Sequence, residues 1–187
     1  MTPLQQLLRE AEEKMKKSVA AVSRHFAEIR GGRGSPSLVE HLTVASYGAP
    51  TPLKQLAAIT APEPRLLVVQ PWDASLVPEI EKAILKSELG ITPVNDGKLL
   101  RLPIPPLTAE RRTELSKLLH KMAEEGRVAI RTIRRDANEA VKKLKTDKRI
   151  SEDDAFKAQD DIQKITDKSV GEIDAILKAK EQEVLVA

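Results

Sequence analysis

At 187 residues with 41% hydrophobic content, the chain is long enough to bury a real core, as one large domain or two small ones. Cysteine is absent, aromatic residues make up 2% and the net charge is +3 on 32% charged residues; this excludes disulfides, thiolate metal sites, a polybasic arm and an aromatic platform for stacking single-stranded nucleic acid. No apolar run reaches bilayer-spanning length and residues 1–14 lack a basic region followed by an apolar block, so the sequence reads as soluble and cytoplasmic.

Thr2, Pro3 and Gln5 fit an N-cap, a proline at the first helical position and the reciprocating glutamine of a capping box, and a helix is expected from there. Leu8, Met15, Val19, Val22, Phe26 and Ile29 keep a spacing of about 3.5 residues, which carries that helix to Arg30. The run Gly-Gly-Arg-Gly-Ser-Pro at 31–36 ends it, because three glycines carry a high backbone entropy cost and a proline follows. From 31 to 105 prolines concentrate and helical periodicity gives way to short β-rich runs. Residues 41–47 and 65–70 read as strands, 78–89 as an amphipathic helix closed by Gly90, Asn95-Asp96-Gly97 as a turn and 98–102 as the returning strand.

Leu-Pro-Ile-Pro-Pro-Leu at 102–107 is stiff and extended. Thr108 then caps a helix to about 145, in which Leu115, Leu119, Met122, Gly126, Ala129, Ile133, Ala137, Ala140 and Leu144 recur at steps of three and four. At 1.5 Å per residue this is a rod of about 55 Å, which needs equally long neighbours. Residues 146–150 break the pattern. Ser151 with Glu152, Asp153 and Asp154 places a cap and three acids at the start of a third helix, which carries Ile162, Ile165, Ile173, Ile176 and Leu177. The expected class is α+β: a long antiparallel three-helix bundle from 1–30 and 106–187, with a small β/α/β domain, 31–105, inserted on a two-stranded hinge. One hinge strand is Arg30, Gly31, Gly32 and Arg33, able to absorb rotation; the other is Pro103, Ile104, Pro105 and Pro106, able to limit it.

Arg127, Arg131 and Arg134, spaced four and three, share a helical face, with Arg135 beside the last. Spacing alone leaves two readings open, a solvated face and a phosphate-binding one. The cluster is all arginine, whose planar fork grips phosphate bidentately, and it sits beside Gly126, where another backbone could approach, although helix packing explains that glycine equally well. The glycine run at 31–35 lacks the strand, helix and Lys-Ser/Thr ending of a nucleotide loop. His25, His41 and His120 are scattered, the pairs Asp153-Asp154 and Asp160-Asp161 have no neighbouring histidine, and no nucleophile or metalloprotease motif occurs. No catalytic residue, cofactor or metal is expected, so the chain is read as a binding protein and not an enzyme. One such reading is a helical adaptor whose arginines meet an acidic protein partner.

Seven stretches carry a closer identification: IRGGRGSPSLVEHL (29–42), YGAPTPLKQLA (47–57), PWD (71–73), IEKAILKSELGITP (80–93), LRLPIPPLTAERR (100–112), RVAIRTIRRDAN (127–138) and ISEDDAFKAQDDIQKITD (150–167). Together they resemble the bacterial ribosome recycling factors over nearly the whole chain, with Gly34 and Glu88 standing where alanine and aspartate are commoner. The resemblance implies a three-helix domain of tRNA-like outline, joined by a hinge to a β/α/β domain. It implies a monomer that occupies the post-termination ribosome, its bundle against large-subunit RNA, while elongation factor G with GTP drives subunit separation. It also places Arg30, Arg127, Arg131, Arg134 and Arg135 at the family's RNA-facing positions. Reading folded RNA by shape and phosphate, with rigidly held arginines and no stacking aromatics, agrees with that.

Overall fold

The computed structural model describes residues 1–29 and 31–186. Among them are four α-helices, α1 (Pro3–Glu28), α2 (Val77–Lys86), α3 (Ala109–Thr146) and α4 (Glu152–Val186), and six strands, β1 (Thr43–Ser46), β2 (Ala49–Pro52), β3 (Ala57–Glu63), β4 (Leu66–Pro71), β5 (Val94–Asn95) and β6 (Leu100–Pro103). Met1–Ile29 and Glu110–Leu185 group into one unit, and the intervening chain forms a second.

In the helical unit, local chemistry sets the ends. Thr2 Oγ1 accepts from the Gln5 N–H at 3.2 Å while Gln5 Oε1 accepts from the Thr2 N–H at 3.0 Å, the reciprocal bonds the sequence predicts. Ser151 Oγ accepts from the Asp154 N–H at 3.0 Å and starts α4 in the same way. Between α3 and α4 the chain reverses through Lys148, at φ +57, and the Arg149 N–H returns to the Leu144 carbonyl at 2.9 Å.

The neighbours of α1 give the directions of the other two helices. Near Ala11 they are Ala137, Val141, Ala155, Ala158 and Ile162; Thr166 Oγ1 lies 3.9 Å from Met15 Sδ; at Val22 they are Gly126 and Ile173. As α1 advances, α3 runs backward and α4 forward, so α3 is antiparallel to both. Having two partners rotates the buried stripe of α3 from the predicted one. Ala123, Ile130 and Val141 are buried, Ala129 is exposed, and Met122, Ile133, Ala140 and Leu144 are half-buried at the margin. On α4, Ile162, Ile173 and Leu177 are buried as expected, and Thr166, also buried, satisfies its hydroxyl on the Ile162 carbonyl at 2.8 Å.

The second unit is a four-stranded antiparallel sheet, ordered β3-β4-β6-β5, with a separate β1-β2 hairpin. Leu67 faces Leu102 and Val69 faces Leu100 across β4 and β6, and these buried pairs meet Val77, Ile80 and Ile84 of α2 in one core. Strands β2, β3 and the two-residue β5, which takes Asn95 from the expected turn, escape the sequence reading. Strand β3 is an edge strand with Pro62 and a register shift between Thr60 and Glu63, both of which an edge tolerates. Helix α2 stops at Lys86, short of the predicted Gly90: the Ser87 N–H and hydroxyl both bond the Ile84 carbonyl, at 3.2 and 2.6 Å. No helix among the described residues is long and apolar enough to cross a membrane.

Candidate nucleic-acid interface

The arginine face of α3 begins at Gly126, where α1 and α4 both come close to its backbone. A Cβ on Gly126 would lie 2.5 Å from Val22 Cγ2 and 3.1 Å from Ile173 Cδ1. Arg127, one residue on, lies toward α4, its side chain only 19% exposed. Its Nε and Nη2 donate to Asp174 Oδ1 at 2.9 and 2.6 Å and its Nη1 to Glu124 Oε2 at 3.1 Å. Asp174 first, and Glu124 after it, hold this guanidinium above its already high ordinary pKa. Arg131, half exposed, donates from Nη1 to Glu124 Oε1 at 3.0 Å. Glu124 is in turn held below the usual carboxylate range by the hydrogen bond from Arg131 and then that from Arg127.

Arg134 and Arg135 differ. Arg134 is half-buried and Arg135 exposed, and among the described residues no carboxylate is in ion-pair range of either. With Arg131, Asn138 and exposed Lys142 they line a concavity of ≈ 520 Å³ on the outer face of α3, in which Glu139 is the one acid against four basic side chains. Arg131 and Arg134 also line a second groove, ≈ 320 Å³, whose α4 side carries Gln163, Asp167 and Asp174. The four arginines therefore share a face but not a state: Arg127 struts α3 to α4, Arg131 is shared with Glu124, and Arg134 and Arg135 are open to an anion. Lys142 is not among the residues expected from sequence, although its spacing of seven and eight from Arg135 and Arg134 puts it on the same face.

Arg30, counted with both the RNA-facing and the hinge residues, lies outside the described residues. Gly31, Gly32 and Arg33 are in non-helical loop. Immediately after them the chain joins the β unit: the Gly34 N–H donates to the Pro64 carbonyl at 2.6 Å, and a Cβ at Gly34 would meet Ile104 Cγ1 at 3.1 Å and Leu67 Cγ at 3.3 Å. Pro103 belongs to β6 opposite Leu66, and the Ile104 N–H donates to the Arg65 carbonyl at 2.8 Å. Pro105 and Pro106 follow without regular secondary structure.

A long three-helix unit with an arginine-lined face, carrying a small β unit between its first and second helices, defines a two-unit α+β protein. A sequence model for the family "Ribosome recycling factor" matches residues 22–185. The chain is 57% identical to the ribosome-recycling factor of Desulforamulus reducens over 97% of this chain and 98% of that one, and 56% identical to that of Carboxydothermus hydrogenoformans over the same shares. Among solved structures it resembles a solution structure of the ribosome recycling factor, with a TM-score of 0.69 and 43% identity over the whole of both chains. It also resembles the T. thermophilus ribosome recycling factor in an assembly with E. coli elongation factor G bound to the E. coli post-termination complex, with a TM-score of 0.61 and 48% identity over 99% of this chain and 100% of that one. The chain belongs to the ribosome recycling factor family.

Proposed function

We propose that this chain is a translation factor of the cytoplasm that binds the post-termination ribosome as a monomer. With elongation factor G and GTP, it promotes subunit dissociation and release of the ribosome from messenger RNA. The observation that carries the reading is the 57% identity to a ribosome-recycling factor over 97% of the chain. The helical-adaptor reading has no such support. The physical logic is docking without covalent chemistry: α3 presents Arg134 and Arg135, with Arg131 beside them, to the phosphates of folded large-subunit RNA, and GTP belongs to the partner factor. The test is subunit splitting followed by light scattering on post-termination ribosomes. Splitting that requires this chain, elongation factor G and GTP together is the expected result; none above the background without the chain overturns the reading.

The hinge belongs to the same proposal. Because Gly34 and Ile104 are bonded into the β unit, among the described residues the joint between the units falls on 31–33 in one crossing and on 105–107 in the other. Pro105 and Pro106 each fix a φ angle in the second crossing, so a force on the β unit reaches the rod as torque and is not dissipated in slack chain. Replacing both with glycine touches neither core. Ribosome affinity is expected to stay within about twofold of wild type while the splitting rate falls by about tenfold, a loss on the order of 1.4 kcal/mol. Splitting at the wild-type rate would mean that stiffness at this crossing plays no part.

A further inference from the structure

Glu124 spends both carboxylate oxygens inside the arginine face. Oε1 accepts from Arg131 and Oε2 from Arg127, at 3.0 and 3.1 Å. The two arginines do not depend on it equally. Arg127 has a second acid, Asp174, at 2.6 Å, whereas Glu124 is the only carboxylate paired with Arg131 among the described residues. Asp167 and Asp174 line the α4 side of the groove that Arg131 and Arg134 share.

We propose that Glu124 is an intramolecular competitor for Arg131, an acid that an RNA phosphate must displace before Arg131 contributes to binding, and that it thereby sets how tightly the chain holds the ribosome. The inference rests on the reading above, that this face of α3 meets ribosomal RNA. Its chemistry is the likeness of the two anions: Glu124 offers Arg131 one oxygen, at Nη1, and a phosphate oxygen can accept the same N–H, with a second free to reach the rest of the fork, without the arginine moving far. The resting pair is of the kind that can be displaced. Arg131 is 50% and Glu124 51% exposed, and ion pairs so exposed are weak and screened by salt. Arg127 does not follow Arg131, because Asp174 keeps it turned toward α4. The arginine face thus holds a fixed strut, Arg127 on Asp174, a conditional partner for phosphate, Arg131 on Glu124, and an open pair. A factor that must leave each ribosome before meeting the next works better with an interaction that is readily taken back.

The test is equilibrium and dissociation-rate measurement of the labelled full chain on post-termination ribosomes at several salt concentrations. Glu124→Gln frees Arg131 and removes a negative charge, so affinity is expected to rise about three- to tenfold, chiefly through slower dissociation, with the log–log salt slope steeper by about one. Glu125→Gln makes the same charge change one residue away, on a side chain with no arginine partner among the described residues, and is expected to change affinity by less than about twofold. In an Arg131→Ala background, Glu124→Gln should lose most of its effect. Three results overturn the proposal: no tightening by Glu124→Gln, an equal gain from Glu125→Gln, or an undiminished gain without Arg131. Each leaves the RNA-facing reading of α3 intact, since loss of binding on removing Arg134 and Arg135 tests that separately; a wild-type chain that does not bind ribosomes removes both.

Discussion

Replacing Arg134 and Arg135 together with alanine is expected to weaken ribosome binding by about 2–6 kcal/mol, from roughly 1–3 kcal/mol for each charge-assisted bond to phosphate that is removed. The log–log dependence of affinity on salt should flatten by about two, because two fewer counterions are released on binding. Stability should hardly change, since neither side chain has a carboxylate partner among the described residues and both border the open concavity of α3. Arg127→Ala is the instructive contrast. It removes the bonds to Asp174 and Glu124, so its direct effect falls on the joint between α3 and α4, at about 1 kcal/mol or less for a pair whose acid is largely solvated. Co-sedimentation with ribosomes across a salt series, beside thermal unfolding of the same proteins, separates the two patterns. A double variant that binds as wild type, or one that melts far below it, would mean that Arg134 and Arg135 are not the anion-binding pair.

That contrast marks where sequence reasoning stops. Four arginines at helical spacing on a long rod can be read from the string, because the period of a helix is local. Their division into strut, shared arginine and open pair cannot. Asp174, which takes up Arg127, is 47 residues away on another helix, and no spacing rule links the two. Glu124 was within reach, three residues before Arg127 and seven before Arg131, but a carboxylate at that spacing looks like any solvated helical acid until its rotamer is known. Lys142 was legible by the same face arithmetic as the arginines.

The fold divides in the same way. Caps are sequence-local chemistry, and Thr2 with Gln5 and Ser151 with Asp154 bond as their spacing predicts. The buried stripe of α3 is not local, since its centre depends on two neighbours acting at once, which is why Ala129 is exposed and Ala123 buried. Strands β2 and β3 carry prolines and alanines instead of alternating β-branched residues, and they are held by pairing with β1 and β4 more than by their own propensity. The proline run misleads in a smaller way: Pro103 looks like linker by composition, yet it lies in β6 opposite Leu66, at a strand end that tolerates proline.

Gly126→Ala is expected to destabilise the helical unit by about 1–3 kcal/mol, although alanine is the better helix former by about 1 kcal/mol at an interior position. The reason is the distance: a methyl there would sit 2.5 Å from Val22 Cγ2, a side chain 4% exposed on the facing helix, and 3.1 Å from Ile173 Cδ1. Interiors are packed too closely to absorb that without moving a helix or forcing a rotamer. Val22→Ala alone should also destabilise, by leaving a void where two methyl groups packed. Combined, the two changes compensate, because the added methyl on α3 fills space vacated on α1 and the helix-propensity gain is recovered. The double variant should therefore be more stable than the sum of the singles, with a coupling of about 0.5–3 kcal/mol. Denaturant unfolding of the full chain, followed through its helical signal, measures all three. Additive effects, or Gly126→Ala as stable as wild type, would show that the glycine does not set the helix approach. If the coupling is found, the same glycine bears on the proposed RNA face: Arg134 lies eight residues further along α3, so on that proposal a helix pushed off its neighbours by Gly126→Ala should also weaken ribosome binding.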